Sequence, residues 1–389
     1  MALSSIARHH RPPFRCGWPS RLAQPSPRHL LDSGRGLAHR LSQRGYRLRP
    51  LPLPTLPRLS PVERVRGHPG HGPLHRHPHH RPGGRMRLEV EDRRAATPIR
   101  AYASMTPAAL TLPLGFLLAG LIALIGWKWE ALSASGAVGA TVIGGFVFGF
   151  GGPTWAVILV AFFVSSSLLS RLGRSRKARN PYLEKGGPRD LAQTLANGGA
   201  ALLMALAVGV VGHDSPKYPY LALAYFGSLA AATADTWATE LGLLSTQRPR
   251  LITTGEPTLP GVSGGVTPLG LVGSLLGGLF IGLTTFLTIQ AASLLTTGVC
   301  FLQDAFLLIT LPAAGFLASL FDSFLGATAQ RLYYCERCQT LTEKNVHDCG
   351  ATTRPLRGLA WMNNDMINVL AASLGALAAI LLSLPFLVS

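Results

Sequence analysis

Four acidic residues stand inside or at the ends of long hydrophobic segments of this 389-residue chain. Asp235 and Glu240 lie near the end of one segment. Asp322 lies deep within another, and Asp365 begins the last. Because placing a charged side chain in a bilayer costs about 2.5–3.5 kcal/mol on insertion scales, such residues indicate a functional site. The alternative for Asp235 and Glu240 is structural: two carboxylates at a hydrated helix end that fix its depth in the membrane.

Polar uncharged side chains accompany these acids. Asp235 and Thr239 lie one helical turn apart, whereas Asp235 and Glu240 are about 140° apart around an ideal helix. These two carboxylates share one site only if the helix is kinked or the site wraps around it. Residues 363–365 read Asn-Asn-Asp, and capping of the last helix needs only one of them. Clustered Asp, Glu and Asn oxygens are the ligands of a Mg²⁺ ion that also binds a phosphate ester.

A glycine-rich loop, 260–267, connects the fifth and sixth hydrophobic segments. Its glycines allow backbone N–H groups to turn toward an anion, and a helix is predicted directly after it. The loop residues expected to contact phosphate are Gly261, Ser263, Gly264, Gly265 and Thr267. This is not a P-loop, because no Gly-Lys-Ser/Thr follows. The alternative is an ordinary connector, since glycine-rich loops are common between helices.

Three of the five cysteines cluster with a histidine after the seventh hydrophobic segment. The four residues are Cys335, Cys338, His347 and Cys349. Four soft ligands at this spacing fit a tetrahedral structural Zn²⁺ site, in which the protein fills every coordination position. The clustering favours a metal site in a reducing compartment over a disulfide framework. The alternative is a group of unpaired cytosolic thiols.

The elements that must position these groups are membrane helices. Hydrophobic residues make up 48% of the chain and charged residues 14%, whereas a soluble protein usually carries about 25% charged residues. A membrane-spanning helix needs about 20 apolar residues. Runs of this kind occur at 106–127, 131–150, 153–172, 191–212, 218–244, 269–294, 302–329 and 362–388. We therefore expect an all-α, polytopic transmembrane bundle of about eight spans, formed by residues 105–389.

The Lys and Arg residues of the short loops predict the orientation of the bundle. The loops after the third, fifth and seventh segments are basic, and they fall on one side if there are eight spans. The positive-inside rule places that side in the cytoplasm. The Cys/His loop, 331–360, is then cytoplasmic, on the same side as the glycine-rich loop.

An Arg-, His- and Pro-rich tail precedes the first segment and is expected to be disordered over residues 1–104. Residues 1–86 hold 16 Arg, no Lys and two acids, which accounts for most of the net charge of +18. The remaining part is nearly balanced in charge, so no nucleic-acid partner is expected. Three interpretations remain for the tail: an organelle transit peptide, a basic segment that contacts anionic lipid, or sequence upstream of a true start at Met86 or Met105.

Five segments in this order resemble one known family. They are Asn197–Gly199, Ala234–Gly242, Pro260–Thr267, Asp322–Ala327 and Trp361–Asn368. The resemblance is to the membrane family called domain of unknown function 92, which includes eukaryotic transmembrane protein 19 and the plastid phytyl-phosphate kinase. It extends over roughly 108–387. The Cys/His loop is similar to that of bacterial and transmembrane-protein-19-type members, and the plastid kinase lacks it, which leaves the substrate open.

The resemblance implies a prenyl-phosphate kinase that uses a CTP-like nucleoside triphosphate and an isoprenyl monophosphate. The implied catalytic residues are Asp235, Glu240, Asp322 and Asp365. The residues implied to hold Mg²⁺ are Asp235, Asp322 and Asp365. Substrate or phosphate contacts are expected from Asn197, Thr236, Thr239, Ser323, Asn363, Asn364 and Asn368, together with the glycine-rich loop.

A second hypothesis is a membrane transporter or lipid carrier that uses the same carboxylates as cation or proton sites. It predicts two inverted repeats, and none is evident in the hydropathy pattern. Both hypotheses have the lipid bilayer as a partner, and both leave the oligomeric state open. The expected location is a bacterial plasma membrane, or a plastid membrane if the tail is a transit peptide.

Overall fold

The structure is a computed structural model that describes residues 108–172, 187–300, 302–347 and 349–388. The expected disordered tail and most of the basic loop after the third segment lie outside these residues. The described residues form eight α-helices, each at a segment that hydropathy predicts. They are α1 (Ala108–Lys128), α2 (Ala134–Phe146), α3 (Gly152–Leu172), α4 (Leu191–Val211), α5 (Tyr218–Gly242), α6 (Pro268–Thr297), α7 (Leu307–Thr328) and α8 (Asn364–Val388).

Six stretches of these helices are long and apolar enough to cross a membrane. The longest, Ala134–Leu172, contains α2, a π-helical turn at Val147–Gly151 and α3. As one straight helix its 39 residues would extend about 58 Å, nearly twice the roughly 30 Å hydrocarbon core. The helix α5 is not among the six stretches. A multi-pass helical membrane protein is therefore established, and the count of eight spans stays a prediction.

The chain reverses direction at Gly152, between α2 and α3. At the start of α2, the Ser133 N–H donates to the Arg189 carbonyl just before α4. At the start of α3, the carbonyl of Trp155 accepts a 2.6 Å hydrogen bond from the Tyr225 hydroxyl, near the start of α5. Because α4 and α5 are consecutive helices, their starts lie at opposite ends of the bundle. The φ of 79° at Gly152 permits the reversal, since this backbone region favours glycine.

The helix α5 lies at the centre of the bundle, which explains its modest hydropathy. Every residue from Ala222 to Ala234 is buried. Gly277 of α6 and Gly315 of α7 bring their backbones against α5, where an added Cβ would meet the carbonyl oxygens of Thr233 and Ala230. Close packing through small residues is the usual means of helix association in membranes. A helix surrounded in this way meets little lipid and tolerates polar residues near its end.

The outer helices carry large apolar side chains away from the core. Leu117, Leu203 and Ile309 are more than half exposed. In a bilayer these side chains contact lipid, so their exposure needs no protein partner. The aromatic core lies at the end of the bundle that holds the starts of α3 and α5, where Trp155 and Tyr225 stack with ring centroids 4.1 Å apart.

Two small sheets lie in the connections and refine the all-α expectation. β1 (Arg250–Leu251) and β2 (Gly265–Val266) pair antiparallel within the connection between α5 and α6. β3 (Leu332–Cys335), β4 (Thr340–Thr342) and β5 (Arg354–Arg357) form an antiparallel sheet of order β4-β3-β5 between α7 and α8. The fold is therefore predominantly helical with a small β module, which we call the Cys/His module (332–357).

Candidate functional site

A cavity of about 790 Å³ opens at the end of the bundle where α1, α3, α5 and α7 terminate. Its wall includes residues from all four connections that follow these helices. The predicted site residues on this wall are Asn197, Asp235, Thr236, Thr239, Glu240, Gly261, Ser263, Gly264, Gly265, Thr267, Asp322, Ser323, Asn364 and Asn368. Residues from five separate stretches of sequence therefore meet in one place.

Four side chains from four helices converge in a narrow recess of this cavity. Asn197 of α4, Asp235 of α5, Asp322 of α7 and Asn368 of α8 line it, together with alanines of α5 and α8. Two carboxylates and two carboxamides supply hard oxygen ligands. The Asn197 side chain is oriented by a 2.9 Å hydrogen bond from its Nδ2 to the Gln193 carbonyl one turn earlier. The donor set in the recess is suited to a small divalent cation.

The end of α5 contributes both of its carboxylates, although they project about 140° apart. Asp235 reaches the recess, and Glu240 lies on the wall of the wider cavity. Glu240 is 9% exposed, and its Oε1 accepts a 2.7 Å hydrogen bond from the Ser170 hydroxyl of α3. The site thus wraps around the end of α5. This arrangement is one of the two that the sequence allowed, the other being a kinked helix.

Arg189 is a half-buried cation of the cavity wall that was not among the predicted site residues. Its backbone pairs with the short connection after α1, where its N–H donates to the Ala131 carbonyl and its carbonyl accepts from Ser133. Burial lowers the pKa of the Arg189 guanidinium, and the charge of Glu240 acts in the opposite direction. An arginine stays protonated at neutral pH under such conditions, so Arg189 supplies a fixed positive charge.

The glycine-rich loop is pressed against the end of α7. Gly264 has φ +86°, and a Cβ at this position would lie about 2.5 Å from backbone and side-chain atoms of Ala327. Only glycine combines this backbone conformation with this close approach. Thr267 ends the loop and caps α6, since its Oγ1 accepts a 3.0 Å hydrogen bond from the Gly270 N–H. The N-terminus of α6 therefore adjoins the cavity.

The hydroxyl of Ser263 and the side chain of Gln330 converge on one carboxylate, which sequence analysis missed. Oε1 of Glu343 accepts a 2.6 Å hydrogen bond from Ser263 and a 2.7 Å hydrogen bond from Gln330 Nε2. Glu343 follows β4 in the Cys/His module and lies on the cavity wall. Nothing in the local sequence distinguishes this residue from a solvated loop glutamate, because its partners are remote in the chain.

Two predicted site residues do not reach the cavity wall. Asn363 is exposed and caps α8, because its Oδ1 accepts a 2.9 Å hydrogen bond from the Met366 N–H. Asp365 is one residue beyond Asn364 and therefore about 100° away from it around the helix. The α8 residues on the wall are Asn364 and Asn368, one turn apart, and the expected roles of Asn363 and Asp365 at the site stay predictions.

The Cys/His module gathers the four predicted zinc ligands. One ligand atom from each of Cys335, Cys338, His347 and Cys349 lies within 4.8 Å of the others. The pKa of the Cys349 thiol is lowered to about 6, first by a hydrogen bond from the Ala351 backbone and then by His347. The thiolate form, which is the metal-binding form, is thereby favoured.

Comparison with known proteins agrees with this architecture. The profile of the family described as Integral membrane protein DUF92 matches residues 117–376. Protein PGR of Arabidopsis thaliana is 32% identical over 263 residues, which cover 65% of this chain and 89% of the relative. An uncharacterized membrane protein of Methanocaldococcus jannaschii is 28% identical over 273 residues, which cover 70% of this chain and 94% of that protein. Protein VTE6, chloroplastic, of Arabidopsis thaliana is 25% identical over 255 residues, which cover 64% of this chain and 65% of that protein.

No solved structure matches the chain. The profile match extends over more than half of the sequence and includes all eight helices in whole or in part. Relatives occur in a plant, an archaeon and a cyanobacterium, so they do not select one type of membrane. The chain belongs to the DUF92 family of multi-pass integral membrane proteins.

Proposed function

We propose that this chain is a prenyl-phosphate kinase, which transfers the terminal phosphate of a CTP-like nucleoside triphosphate to an isoprenyl monophosphate in the membrane. The observation that carries the proposal is the convergence of Asp235 and Asp322 in a recess beside a glycine-rich loop. The family resemblance of the five sequence segments supports the same activity, because the family includes a phytyl-phosphate kinase.

The charges on the cavity wall support a metal-dependent reaction with phosphates. Five carboxylates and two guanidiniums line the described part of the cavity: Glu130, Asp235, Glu240, Asp322, Glu343, Arg171 and Arg189. Such a wall repels a polyphosphate unless cations neutralise it. Mg²⁺ is bound in proteins by one or two carboxylates together with substrate phosphates. Asp235 and Asp322, with Asn197 and Asn368, are the residues that would hold it. When bound, Mg²⁺ would neutralise charge on the transferred phosphoryl group.

The position of the cavity at one end of the bundle fits an amphiphilic substrate. The wall consists of helix ends and connections, while the helices beneath it carry lipid-facing residues such as Leu203. An isoprenyl chain dissolved in the bilayer can therefore present its phosphate at the boundary. A water-soluble nucleotide can approach the same cavity from the glycine-rich loop, whose N–H groups and the adjacent α6 terminus favour anions.

The proposed reaction needs little covalent chemistry from the protein. A phosphate oxygen of the isoprenyl monophosphate attacks the terminal phosphorus of the nucleoside triphosphate and forms a new P–O bond. The bond between that phosphorus and the bridging oxygen breaks, and a nucleoside diphosphate leaves. Positioning and charge neutralisation dominate the rate of such transfers. In this scheme Arg189 binds a phosphate, and Glu240, held by Ser170, lies beside the acceptor.

The test is turnover by the purified full chain in lipid nanodiscs. Phytyl or geranylgeranyl monophosphate is supplied with Mg²⁺ and, in parallel, with CTP, ATP, GTP or UTP, and the products are resolved by mass spectrometry. We expect isoprenyl diphosphate and nucleoside diphosphate in equal amounts, no product with EDTA, and at least about 10²-fold less product with Asp235→Asn. Wild-type protein that yields no diphosphate with any combination would contradict the kinase. Substrate flux in proteoliposomes without nucleotide would instead favour a transporter.

A further inference from the structure

We propose that Cys335, Cys338, His347 and Cys349 bind one structural Zn²⁺ ion, and that the zinc-bound module holds the glycine-rich loop in place through Glu343. The inference assigns a metal site and a positioning residue that the proposed phosphoryl transfer does not require. It stands on the geometry of the Cys/His module and its contacts, whichever reaction takes place in the cavity.

The spacing of the four ligand atoms fits a tetrahedral site. With Zn–S bonds of about 2.3 Å, two thiolates of one zinc ion lie about 3.8 Å apart. The Sγ atoms of Cys335 and Cys349 are 3.7 Å apart, although 14 positions separate them in sequence. All four ligand atoms lie within 4.8 Å of one another, so small rotations of the side chains close the site. None of the three cysteines is in a disulfide bond.

The backbone presents the ligands from two turns. Cys335 ends β3, and Cys338 lies in the turn between β3 and β4. His347 lies in the segment between β4 and β5, where its N–H donates to the Ala351 carbonyl and its carbonyl accepts from Gly350. This second turn is therefore closed by its own hydrogen bonds before a metal binds. One ion would join the two turns.

The sheet of the Cys/His module is small. Its strands contain four, three and four residues, at the short end of the usual range, so the sheet alone contributes little stability. Small modules of this kind commonly obtain their folding free energy from the metal, because the site is absent in the unfolded chain. Loss of zinc should therefore loosen the module locally while the helix bundle remains folded.

Glu343 connects the Cys/His module to the glycine-rich loop at the cavity. It follows β4 directly, and its Oε1 accepts hydrogen bonds from Ser263 of the glycine-rich loop and from Gln330 after α7. Gln330 is 3% exposed, so its position is set by packing. Residues Leu341 to Glu343 also line the cavity. The module is therefore part of the cavity wall and contacts the loop that is proposed to bind phosphate.

The first experiment measures metal in the full-length chain, purified without chelator and with Zn²⁺ supplied during expression. Elemental analysis should find about one zinc per chain for wild type and for the control Cys300→Ser, since Cys300 is exposed and outside the cluster. Cys338→Ser should lose most of its zinc, because the three remaining ligands bind the ion more weakly than four. Absence of zinc from the wild type, or a disulfide between Cys335 and Cys349 in its mass spectrum, would overturn the metal site.

The second experiment follows hydrogen exchange of the backbone amides of 261–267 in the same proteins. Cys338→Ser and Glu343→Ala should each raise exchange in this loop by about tenfold, because a stabilising contact is lost. The control Glu336→Ala changes an exposed glutamate of the module and should leave the loop protected. Glu343→Ala should keep its zinc. Unchanged protection of the loop in both Cys338→Ser and Glu343→Ala would overturn the positioning role, and neither readout depends on kinase activity.

Discussion

Asp235 of α5 and Asp322 of α7 line the same narrow recess, together with the carboxamides of Asn197 and Asn368. The recess is formed where the central helix and three of its neighbours approach the cavity. Two carboxylates in one recess repel each other unless a cation lies between them or one of them is protonated. The pair is therefore the place where the proposed Mg²⁺ would bind.

The first prediction concerns this pair. Asp235→Asn and Asp322→Asn keep the side-chain volume and remove one negative charge each, so the recess should no longer hold Mg²⁺ in place. We expect kcat for phosphoryl transfer to fall by at least about 10²-fold in each variant, in line with the loss of one electrostatic contact in a desolvated site. The measurement is diphosphate formation as a function of Mg²⁺ concentration.

Asp304 offers a matched control for both substitutions. It is an aspartate of the helix bundle too, but it is fully buried before α7 and accepts a hydrogen bond from Gln290 rather than lining the cavity. Asp304→Asn should keep kcat near that of wild type. An equal loss of kcat in all three variants would point to a general effect of buried charge on folding instead of a metal site.

The second prediction concerns the charge of Arg189. Burial lowers the pKa of a cationic side chain at this position, and a lysine begins from a lower ordinary pKa, near 10.4. In Arg189→Lys the protonated form is therefore lost as the pH rises through the lowered pKa of the new lysine. KM for the isoprenyl phosphate should increase in this variant as the pH rises, at pH values below the ordinary lysine pKa, while wild type stays nearly constant.

Arg250→Lys is the control for this pH profile. Arg250 is exposed, donates to the Gly255 carbonyl and does not line the cavity. Its substitution should leave KM and its pH dependence unchanged. A flat profile of KM against pH in Arg189→Lys would show that this position does not bind the phosphate.

The third prediction uses two glycines with similar backbone angles. Gly264 has φ +86° and no room for a Cβ, whereas Gly255 has φ +73° and nothing within 4 Å of an added Cβ. Alanine at either position adds about 1–2 kcal/mol of backbone strain, and only Gly264→Ala also displaces the loop from Ala327. We expect Gly264→Ala to lose nucleotide binding and activity. Gly255→Ala should lower the thermal midpoint slightly and keep activity. Equal nucleotide binding and activity in the two variants would show that the close packing of Gly264 against Ala327 is not required.

Much of the helix bundle follows from hydropathy alone, because the bilayer imposes one length and one composition on lipid-facing helices. The central helix α5 was predicted as a span on its apolar run, yet it is not among the six stretches that qualify by length and composition. Because other helices rather than lipid surround α5, it does not need the composition of a lipid-facing helix. The reversal at Gly152 was also predictable, since a glycine follows a run of sufficient length for one span.

The site was less predictable wherever partners come from distant connections. The acids at the ends of hydrophobic segments were evident, since charge is rare there. The role of Glu343 was not, because its contacts with Ser263 and Gln330 exist only after the Cys/His module folds against the loop. Asp365 and Asn364 are adjacent in sequence, and only the rotation of α8 determines which of them reaches the wall.

The fourth prediction tests the packing of α6 against α5. A Cβ at Gly277 would lie 2.9 Å from the Thr233 carbonyl oxygen and 3.0 Å from Ala234, so Gly277→Ala forces the helices apart. We expect the free energy of unfolding to fall by about 1–3 kcal/mol, as for other overpacked cores. Gly199→Ala on α4 has open space and should be neutral or slightly stabilising. Thermal midpoints in detergent measure both, and equal midpoints would show that α5 is not packed tightly at this point.

The fifth prediction separates Asn368 from Asp365 on α8. Asn368 lines the recess with Asp235 and Asp322, so Asn368→Ala should weaken Mg²⁺ binding by about 10–100-fold, as loss of groups around metal ligands usually does. Asp365 lies in the first turn of α8, where a negative charge favours the helix N-terminus by about 0.3–1 kcal/mol. Asp365→Asn should therefore lower the thermal midpoint slightly and leave the Mg²⁺ dependence of turnover unchanged. If Asp365→Asn instead raised the Mg²⁺ requirement as much as Asn368→Ala, α8 would have to rotate during turnover and bring Asp365 to the metal.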